Sequence, residues 1–283
     1  MFTGYMPSET GMIENEMPLK DSLRNCTLGT LVGNAGYDCV YAGKWHVNTV
    51  TIPDGEFGFR RIKDNGDIGL AEECVKYLQD RDRKEPFFMV ASFINPHNIC
   101  EYARGQKTPH AKVPQTSLKD CPNLPENFAV SPYDASVLQF EKAQEYKLYP
   151  TTTYSPDDWR FYRNAYYRLT EAVDAEIGKI LAEVDRQGLW KNTVIIFTSD
   201  HGHMLGEHDR TGKNQFHAWN EMSQIPLFIH LPGDKDAGKR VSAVTQNIDI
   251  FPTVLEWHGA DDHKKPDFYP IHGKSLLPIL DGT

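Results

Sequence analysis

The sequence predicts an α/β protein with a mainly parallel central sheet. Amphipathic helical patterns alternate along the chain with short apolar runs of strand length, an order typical of parallel sheets covered by helices on both faces. Hydrophobic residues fill 40% of the 283 positions, which is enough for a sizeable core. No interdomain linker or internal repeat is visible. We therefore expect one domain over residues 1–283.

The first half of the chain contains two predicted helices and two predicted strands. Residues 27–35 are predicted to form a short helix, and residues 38–42 the first strand. A second helix is predicted at residues 67–80, with Asp67 as its N-cap. The continuous apolar run at residues 87–94 has the length and composition of a buried parallel strand.

The second half contains a long polar segment and then the strongest helical signal. Residues 98–156 are polar and weakly periodic, so we expect them to form a functional loop. Ser155 and Pro156 resemble a capping box with proline in the first helical turn, and apolar residues then recur every three or four positions as far as Val184. Three further elements are expected: strands at residues 193–198 and 225–231, and a short helix at residues 249–258.

Composition and charge exclude several classes of protein. The chain has 30 lysine and arginine residues against 39 aspartate and glutamate residues and no basic stripe, so nucleic acid is not an expected partner. No apolar stretch approaches the roughly 20 residues that a membrane-spanning helix needs. None of the five cysteines lies in a C-x-x-C motif, and Cys100 with Cys121 is the only pair that we consider for a disulfide.

Ionisable side chains follow three of the predicted strands. Lys44 and His46 come after the first strand, His97 after the second, and Asp200 and His201 after the third. In open α/β sheets, ligands bind outside the carboxyl ends of the strands, so we expect these side chains to converge on a metal site that faces an anion site. Taken singly, each residue also fits an ordinary salt bridge, cap or turn. Their joint occurrence favours a functional site.

Six sequence blocks resemble the sulfatase family. GYDCVYAGKWH at residues 36–46 resembles the signature G-Y-x-T-x-x-x-G-K-W-H, with Cys39 in place of the usual threonine. SDHGHMLGEH at 199–208 resembles S-D-H-G-x-x-L-G-E/D-H, and INPHNI at 94–99 matches the family's Pro-His element. Three further blocks follow in the family's order: QIPLFIHLPG at 224–233, NIDIFPTVLEWHG at 247–259 and GKSLLPIL at 273–280.

The resemblance implies a fold, a reaction and a cofactor. The implied fold is an alkaline-phosphatase-like three-layer α/β/α sandwich, and the implied reaction is the metal-dependent hydrolysis of sulfuric esters. Calcium is the expected divalent cation, with magnesium and manganese as alternatives. Asp200 and His201 would be its ligands, although calcium prefers oxygen donors.

The resemblance also implies roles for four further residues. Lys44 and His46 would bind the sulfate group and the family's nucleophile, a hydrated formylglycine. Lys213 would be a second cationic contact to the sulfate, and His97 would donate a proton or a hydrogen bond to the leaving oxygen. These roles suit the reaction, because it needs charge neutralisation on the non-bridging oxygens and a proton for the leaving oxygen.

One motif of the family is absent from these residues. Formylglycine is made from the cysteine of C-x-P-S-R or the serine of S-x-P-S-R, and neither motif occurs here. Residues 3–7 (TGYMP) resemble a segment that follows this motif in the family. We interpret the chain as a sulfatase catalytic domain that is incomplete at both ends, without the nucleophile region and the C-terminal subdomain. The formylglycine-generating enzyme is then an expected partner of the full-length protein. The family also suggests a periplasmic or secreted location.

Three functions stay open at this point. The first is a sulfatase that acts on a sulfated small molecule or glycan, and the polar, aromatic segment 98–156 suits a sulfated sugar. The second is a phosphoester or phosphonate hydrolase of the same superfamily. The third is a non-catalytic, sulfatase-like binding protein. The GKWH segment favours the first. As written, the 283 residues are expected to hydrolyse no sulfate ester and to bind calcium weakly, since the nucleophile and several oxygen ligands are missing.

Overall fold

The structure is a computed structural model, and it describes most of the chain in two compact units. The described residues are 1–15, 17–47, 55–144, 147–213, 219–234, 237–259 and 271–282. The first unit comprises Met1–Phe93 and Asp236–Thr283, and the second unit comprises Ile94–Lys235.

Helices and strands alternate along the chain, as expected for an α/β protein. The helices are α1 (Pro7–Thr10), α2 (Leu28–Asn34), α3 (Leu70–Asp80), α4 (Ile99–Ala103), α5 (Ser136–Gln144), α6 (Pro156–Arg186), α7 (Asn220–Ser223), α8 (Ile250–Trp257) and α9 (Leu277–Asp281). The strands are β1 (Asp38–Gly43), β2 (Arg60–Lys63), β3 (Phe87–Ser92), β4 (Ile195–Thr198), β5 (Met204–Leu205), β6 (Thr211–Gly212) and β7 (Leu227–His230).

The first unit contains a parallel sheet with the strand order β2-β1-β3. β1 and β3 pair without interruption from Asp38 opposite Phe87 to Gly43 opposite Ser92. Helix α3 packs against all three strands, and α2 packs against β1 and α8. The predicted parallel sheet is therefore confirmed for this unit.

The second unit is organised around the 31-residue helix α6. The helix begins at the predicted capping box: Asp158 N donates to Ser155 Oγ at 3.2 Å, and Ser155 N donates to the Asp158 carboxylate at 2.8 Å. Its buried face carries Trp159, Tyr162 and Leu169, which form a core with α4. In this unit β4 and β7 pair antiparallel, as do β5 and β6.

The predicted elements differ from the structure by one to three residues at their ends, and two of them differ in ways that matter here. Helix α3 begins at Leu70 rather than at Asp67, because Gly69 has a φ of 77° and the segment before it forms a turn in which Leu70 N donates to Asp67 O at 3.0 Å. Strand β3 ends at Ser92, and all six of its residues are partly exposed among the described part of the chain. The expectation of a fully buried strand was wrong there.

Residues 98–156 do not form one long loop, since they contain α4 and α5. Helix α5 is held mainly by polar contacts: Lys142 forms an ion pair with Asp209, and Arg210 Nη2 donates to Leu138 O at 2.7 Å. Because few of its apolar side chains are buried, the helix leaves only a weak periodic pattern in the sequence.

The cysteines considered for a disulfide are free thiols. Cys100 Sγ accepts a hydrogen bond from Tyr149 OH at 3.2 Å, and Cys121 Sγ donates to Ser117 O at 3.6 Å. Across the described residues, no helix combines the length and the apolar character that crossing a membrane would require.

Candidate active site

Lys44 and His46 lie where β1 ends, on a backbone that is firmly held. Lys44 N donates to Ser92 O at 2.7 Å, and Tyr41 OH donates to Lys44 O at 2.6 Å. Gly43 is required at this turn, because its φ is 95° and a Cβ would meet Ser92 O at 2.2 Å. The end of the strand therefore presents both side chains from a fixed position.

Trp45, between the two candidate residues, is held in an aromatic cluster. The indole is only 3% exposed and packs against Tyr41 and Phe57, with ring centroids 5.0 and 5.5 Å away. Lys44 is partly exposed and His46 is exposed.

Asp200 and His201 follow β4 and form an adjacent pair. His201 N donates to Asp200 Oδ1 at 2.9 Å, and His201 Nδ1 donates to Gly202 O at 2.7 Å. His201 Nε2 lies 3.6 Å from Asp200 Oδ2, and both side chains are open to solvent.

This pair fits a divalent cation. With Nδ1 bonded to a carbonyl oxygen, His201 presents Nε2 as the nitrogen that can bind a metal. Two ligand atoms 3.6 Å apart can share one cation at bond lengths of roughly 2.0–2.6 Å. No group of three or more histidine, cysteine, aspartate or glutamate side chains suited to a metal occurs in the described residues, so Asp200 and His201 would form part of a ligand set.

Lys213, His201 and His97 lie close enough to His203 to affect its pKa. β5 and β6 form an antiparallel hairpin, and His203 and Lys213 directly flank its paired residues. The pKa of His203 is lowered to about 3, first by burial and then by Lys213, His201 and His97, whose positive charges disfavour a further charge. An influence of this kind requires proximity, so the three side chains lie near one imidazole.

Two tyrosines of α6 complete the surroundings of His203. Tyr166 stacks on the imidazole with ring centroids 5.7 Å apart and an interplanar angle of 24°. Burial, and then the charge of Asp200, raise the pKa of Tyr166, which places the carboxylate near this stack. Tyr162 OH lies 2.8 Å from His203 Nε2, and Thr211 Oγ1 donates to Tyr162 OH at 2.8 Å.

His97 lies in a turn that two buried asparagines stabilise. His97 N donates to Ile94 O at 3.0 Å, and Asn98 N donates to Asn95 Oδ1 at 3.3 Å. Asn98 Oδ1 also accepts from His110 N at 3.0 Å. Asn95 and Asn98 are 6% and 2% exposed, so the turn that carries His97 is fixed from inside.

The four predicted site residues of the second unit lie near His203 or Tyr166. They are His97, Asp200, His201 and Lys213. The predicted residues of the first unit, Lys44 and His46, lie together after β1. That the two groups belong to one site stays a prediction.

The sequence alone indicates no site role for Tyr162, Tyr166 and Thr211. The two tyrosines fitted the apolar face of α6 and were interpreted as core residues. Their spacing of four residues, on a helix whose remaining face is mostly aliphatic, is the one signal that could have marked them.

Comparisons with known proteins agree on one family. The Sulfatase family model matches residues 1–260. A Delta 4,5-hexuronate-2-O-sulfatase of Bacteroides thetaiotaomicron is 28% identical over 301 residues, which cover 100% of this chain and 60% of that protein. An ulvan-active sulfatase of Formosa agariphila is 27% identical over 312 residues, covering 99% of this chain and 54% of that protein.

Solved structures agree on the fold. The structure of a 2-O GAG sulfatase superposes with a TM-score of 0.78 at 24% identity, covering 99% of this chain and 62% of the other. The phosphonate monoester hydrolase of Agrobacterium radiobacter gives a TM-score of 0.70 at 22% identity, covering 99% and 66%. The chain spans about 60% or less of the two curated relatives. It has an alkaline-phosphatase-like α/β fold, and it belongs to the sulfatase family.

Proposed function

We propose that the protein containing this chain hydrolyses sulfuric esters of a sugar or glycan. One observation supports the proposal: in a member of the sulfatase family, His97, His201 and Lys213 all lie near enough to His203 to lower its pKa. Cationic side chains next to a carboxylate and a histidine suit an anionic ester that reacts beside a metal ion. The curated relatives named above act on hexuronate and ulvan sulfates, which supports a sulfated sugar as the substrate.

The side chains would have two different roles in the reaction. The bond between sulfur and the leaving oxygen breaks, so negative charge develops on that oxygen and stays high on the sulfate. Lys213, Lys44 and His46 would bind the non-bridging oxygens and neutralise their charge. His97 would supply the proton that converts the leaving oxygen to a hydroxyl group.

A divalent cation is a property of the sulfatase family, and Asp200 and His201 would help to hold it here. When bound, such a cation supplies positive charge beside the sulfate oxygens. Calcium is the proposed ion, with magnesium and manganese as alternatives.

The nucleophile is proposed to lie outside these 283 residues, because none of their cysteines lies in C-x-P-S-R. A formylglycine made by the formylglycine-generating enzyme would fill this role in the full-length protein, with location in the periplasm or outside the cell.

A phosphoester or phosphonate hydrolase is the second candidate. The fold likeness to a phosphonate monoester hydrolase favours it, since both reactions transfer a tetrahedral anionic group. The GKWH segment and the sulfatase relatives make it the weaker candidate.

The test is the release of inorganic sulfate by the full-length protein, co-expressed with the formylglycine-generating enzyme. Suitable substrates are a 2-O-sulfated unsaturated disaccharide and N-acetylglucosamine 6-sulfate. Lys213→Ala should lower kcat/KM by a factor on the order of 100, the effect of removing one group that stabilises the transition-state charge. Lys191→Ala, at an exposed lysine of the same unit, is the matched control and should leave kcat/KM unchanged. Binding of these sugars without any sulfate release would instead support the non-catalytic alternative.

A further inference from the structure

We propose that His203 binds the substrate directly, with its Nδ1–H donating a hydrogen bond to an uncharged oxygen of the sulfated sugar. The inference rests on the proposed function, which it deepens by assigning a residue that recognises the sugar rather than the sulfate.

A buried hydrogen-bond relay fixes which nitrogen of His203 carries the proton. Thr211 Oγ1 donates to Tyr162 OH at 2.8 Å, so the proton of the tyrosine hydroxyl is directed to His203 Nε2, also at 2.8 Å. Thr211 and Tyr162 are 5% and 1% exposed, which keeps water from competing for these bonds. With Nε2 accepting, the hydrogen of the imidazole is on Nδ1.

The plane of the ring is fixed as well. Tyr166 stacks on the imidazole at an interplanar angle of 24°, and β5 begins at the next residue, Met204, which is 1% exposed. His203 is partly exposed, and among the described residues no acceptor is bonded to its Nδ1. A fixed donor is thus left for a ligand.

The position of this donor points to a sugar oxygen. Lys213, which flanks the hairpin opposite His203, carries a full positive charge suited to the sulfate. With Lys213 beside it to neutralise the sulfate, the N–H group of His203 is free to pair with a hydroxyl or ring oxygen of the sugar. A site built to bond such an oxygen discriminates strongly against a substrate that lacks it, because the donor is then left unpaired.

Steady-state kinetics of the full-length protein test this inference with two substrates. His203→Ala should raise KM for the preferred sulfated sugar by about 10-fold or more and leave kcat within about twofold. With 4-nitrophenyl sulfate, which lacks the sugar oxygens, both parameters should stay within about twofold. His203→Asn, whose amide nitrogen occupies nearly the place of Nδ1, should recover part of the loss. Tyr162→Phe should give a smaller rise in KM, since the ring can then adopt either tautomer.

Lys191→Ala is the control: this exposed lysine of the same unit should leave KM for both substrates unchanged. An unchanged KM for the sugar in His203→Ala, or an equal change for both substrates, would overturn the inference and indicate a structural role. If the unsubstituted protein hydrolyses no sulfate ester, the proposed function fails. In that case the Kd for the same sulfated sugar, measured by calorimetry, tests the inference about His203. The Kd should be higher for His203→Ala than for the unsubstituted protein, and an unchanged Kd would contradict the inference.

Discussion

Gly202→Ala is expected to destabilise the second unit strongly, because the backbone at Gly202 lies directly against α7. A Cβ at this position would meet the Glu221 carbonyl oxygen at 1.9 Å and Met222 Cα at 3.1 Å. Both are backbone atoms, so no change of rotamer relieves the overlap. Gly202 N also donates to Met222 O at 2.8 Å, and separating the two segments would lengthen that bond.

The expected loss follows from these two effects. Forcing one extra carbon into a packed contact costs about 1–3 kcal/mol, and weakening a backbone hydrogen bond costs about 0.5–1.5 kcal/mol. The free energy of unfolding should therefore fall by roughly 2–4 kcal/mol. The displacement would also disturb the candidate metal ligand, because Gly202 O accepts from His201 Nδ1.

Urea unfolding of Gly202→Ala and Gly178→Ala provides the comparison. Gly178 lies within α6, and a Cβ there would meet nothing within 4 Å, so the same substitution should stabilise the protein by about 0.4–1 kcal/mol. The two variants should thus shift the unfolding midpoint in opposite directions. A Gly202→Ala protein whose free energy of unfolding stays within about 0.5 kcal/mol of the unsubstituted protein would refute the reasoning.

Two further predictions concern stability. Ser155→Ala removes the oxygen that accepts from Asp158 N and should lower the free energy of unfolding by about 1 kcal/mol in urea titrations. Ser155→Thr, which keeps the hydroxyl group, should retain most of the stability, and equal losses would contradict the capping role. Burial lowers the pKa of His258, whose ring lies 4.2 Å from that of Tyr37, so the unfolded state binds the proton more readily. His258 should therefore leave the free energy of unfolding unaffected above a pH of about 6.5 and reduce it as the pH falls below that value. In His258→Gln, the free energy of unfolding should decrease less between about pH 6.5 and 5. An unchanged pH dependence would contradict the role assigned to His258.

Helix α6 shows what the sequence alone can predict. The helix begins at a local capping box formed by Ser155 and Asp158. Its buried face is formed by apolar residues that are three or four positions apart. Both features can be recognised in a single stretch of sequence. The ends of strands β1, β3 and β4 were likewise predictable to within two residues, because each follows a short apolar run. The site roles of the residues after these strands stay predictions.

The relay to His203 shows what the sequence alone cannot predict. Tyr162 is separated by 41 residues from His203 and by 49 from Thr211, so only the tertiary fold brings the three together. Helix α5 was not predicted from the sequence, for a related reason. Its attachment depends on distant charged partners, such as Asp209 for Lys142, and these leave no periodic signal.

The ratio of kcat/KM for two esters with the same leaving group tests the central claim most directly. The full-length protein, carrying its formylglycine, would be assayed with 4-nitrophenyl sulfate and 4-nitrophenyl phenylphosphonate under identical conditions. If the protein is a sulfuric ester hydrolase, the sulfate ester should be hydrolysed with the higher kcat/KM, and Lys213→Ala should lower that kcat/KM by a factor on the order of 100. A phosphonate ester cleaved about 10-fold more efficiently than the sulfate ester, with no release of sulfate from sulfated sugars, would contradict the account.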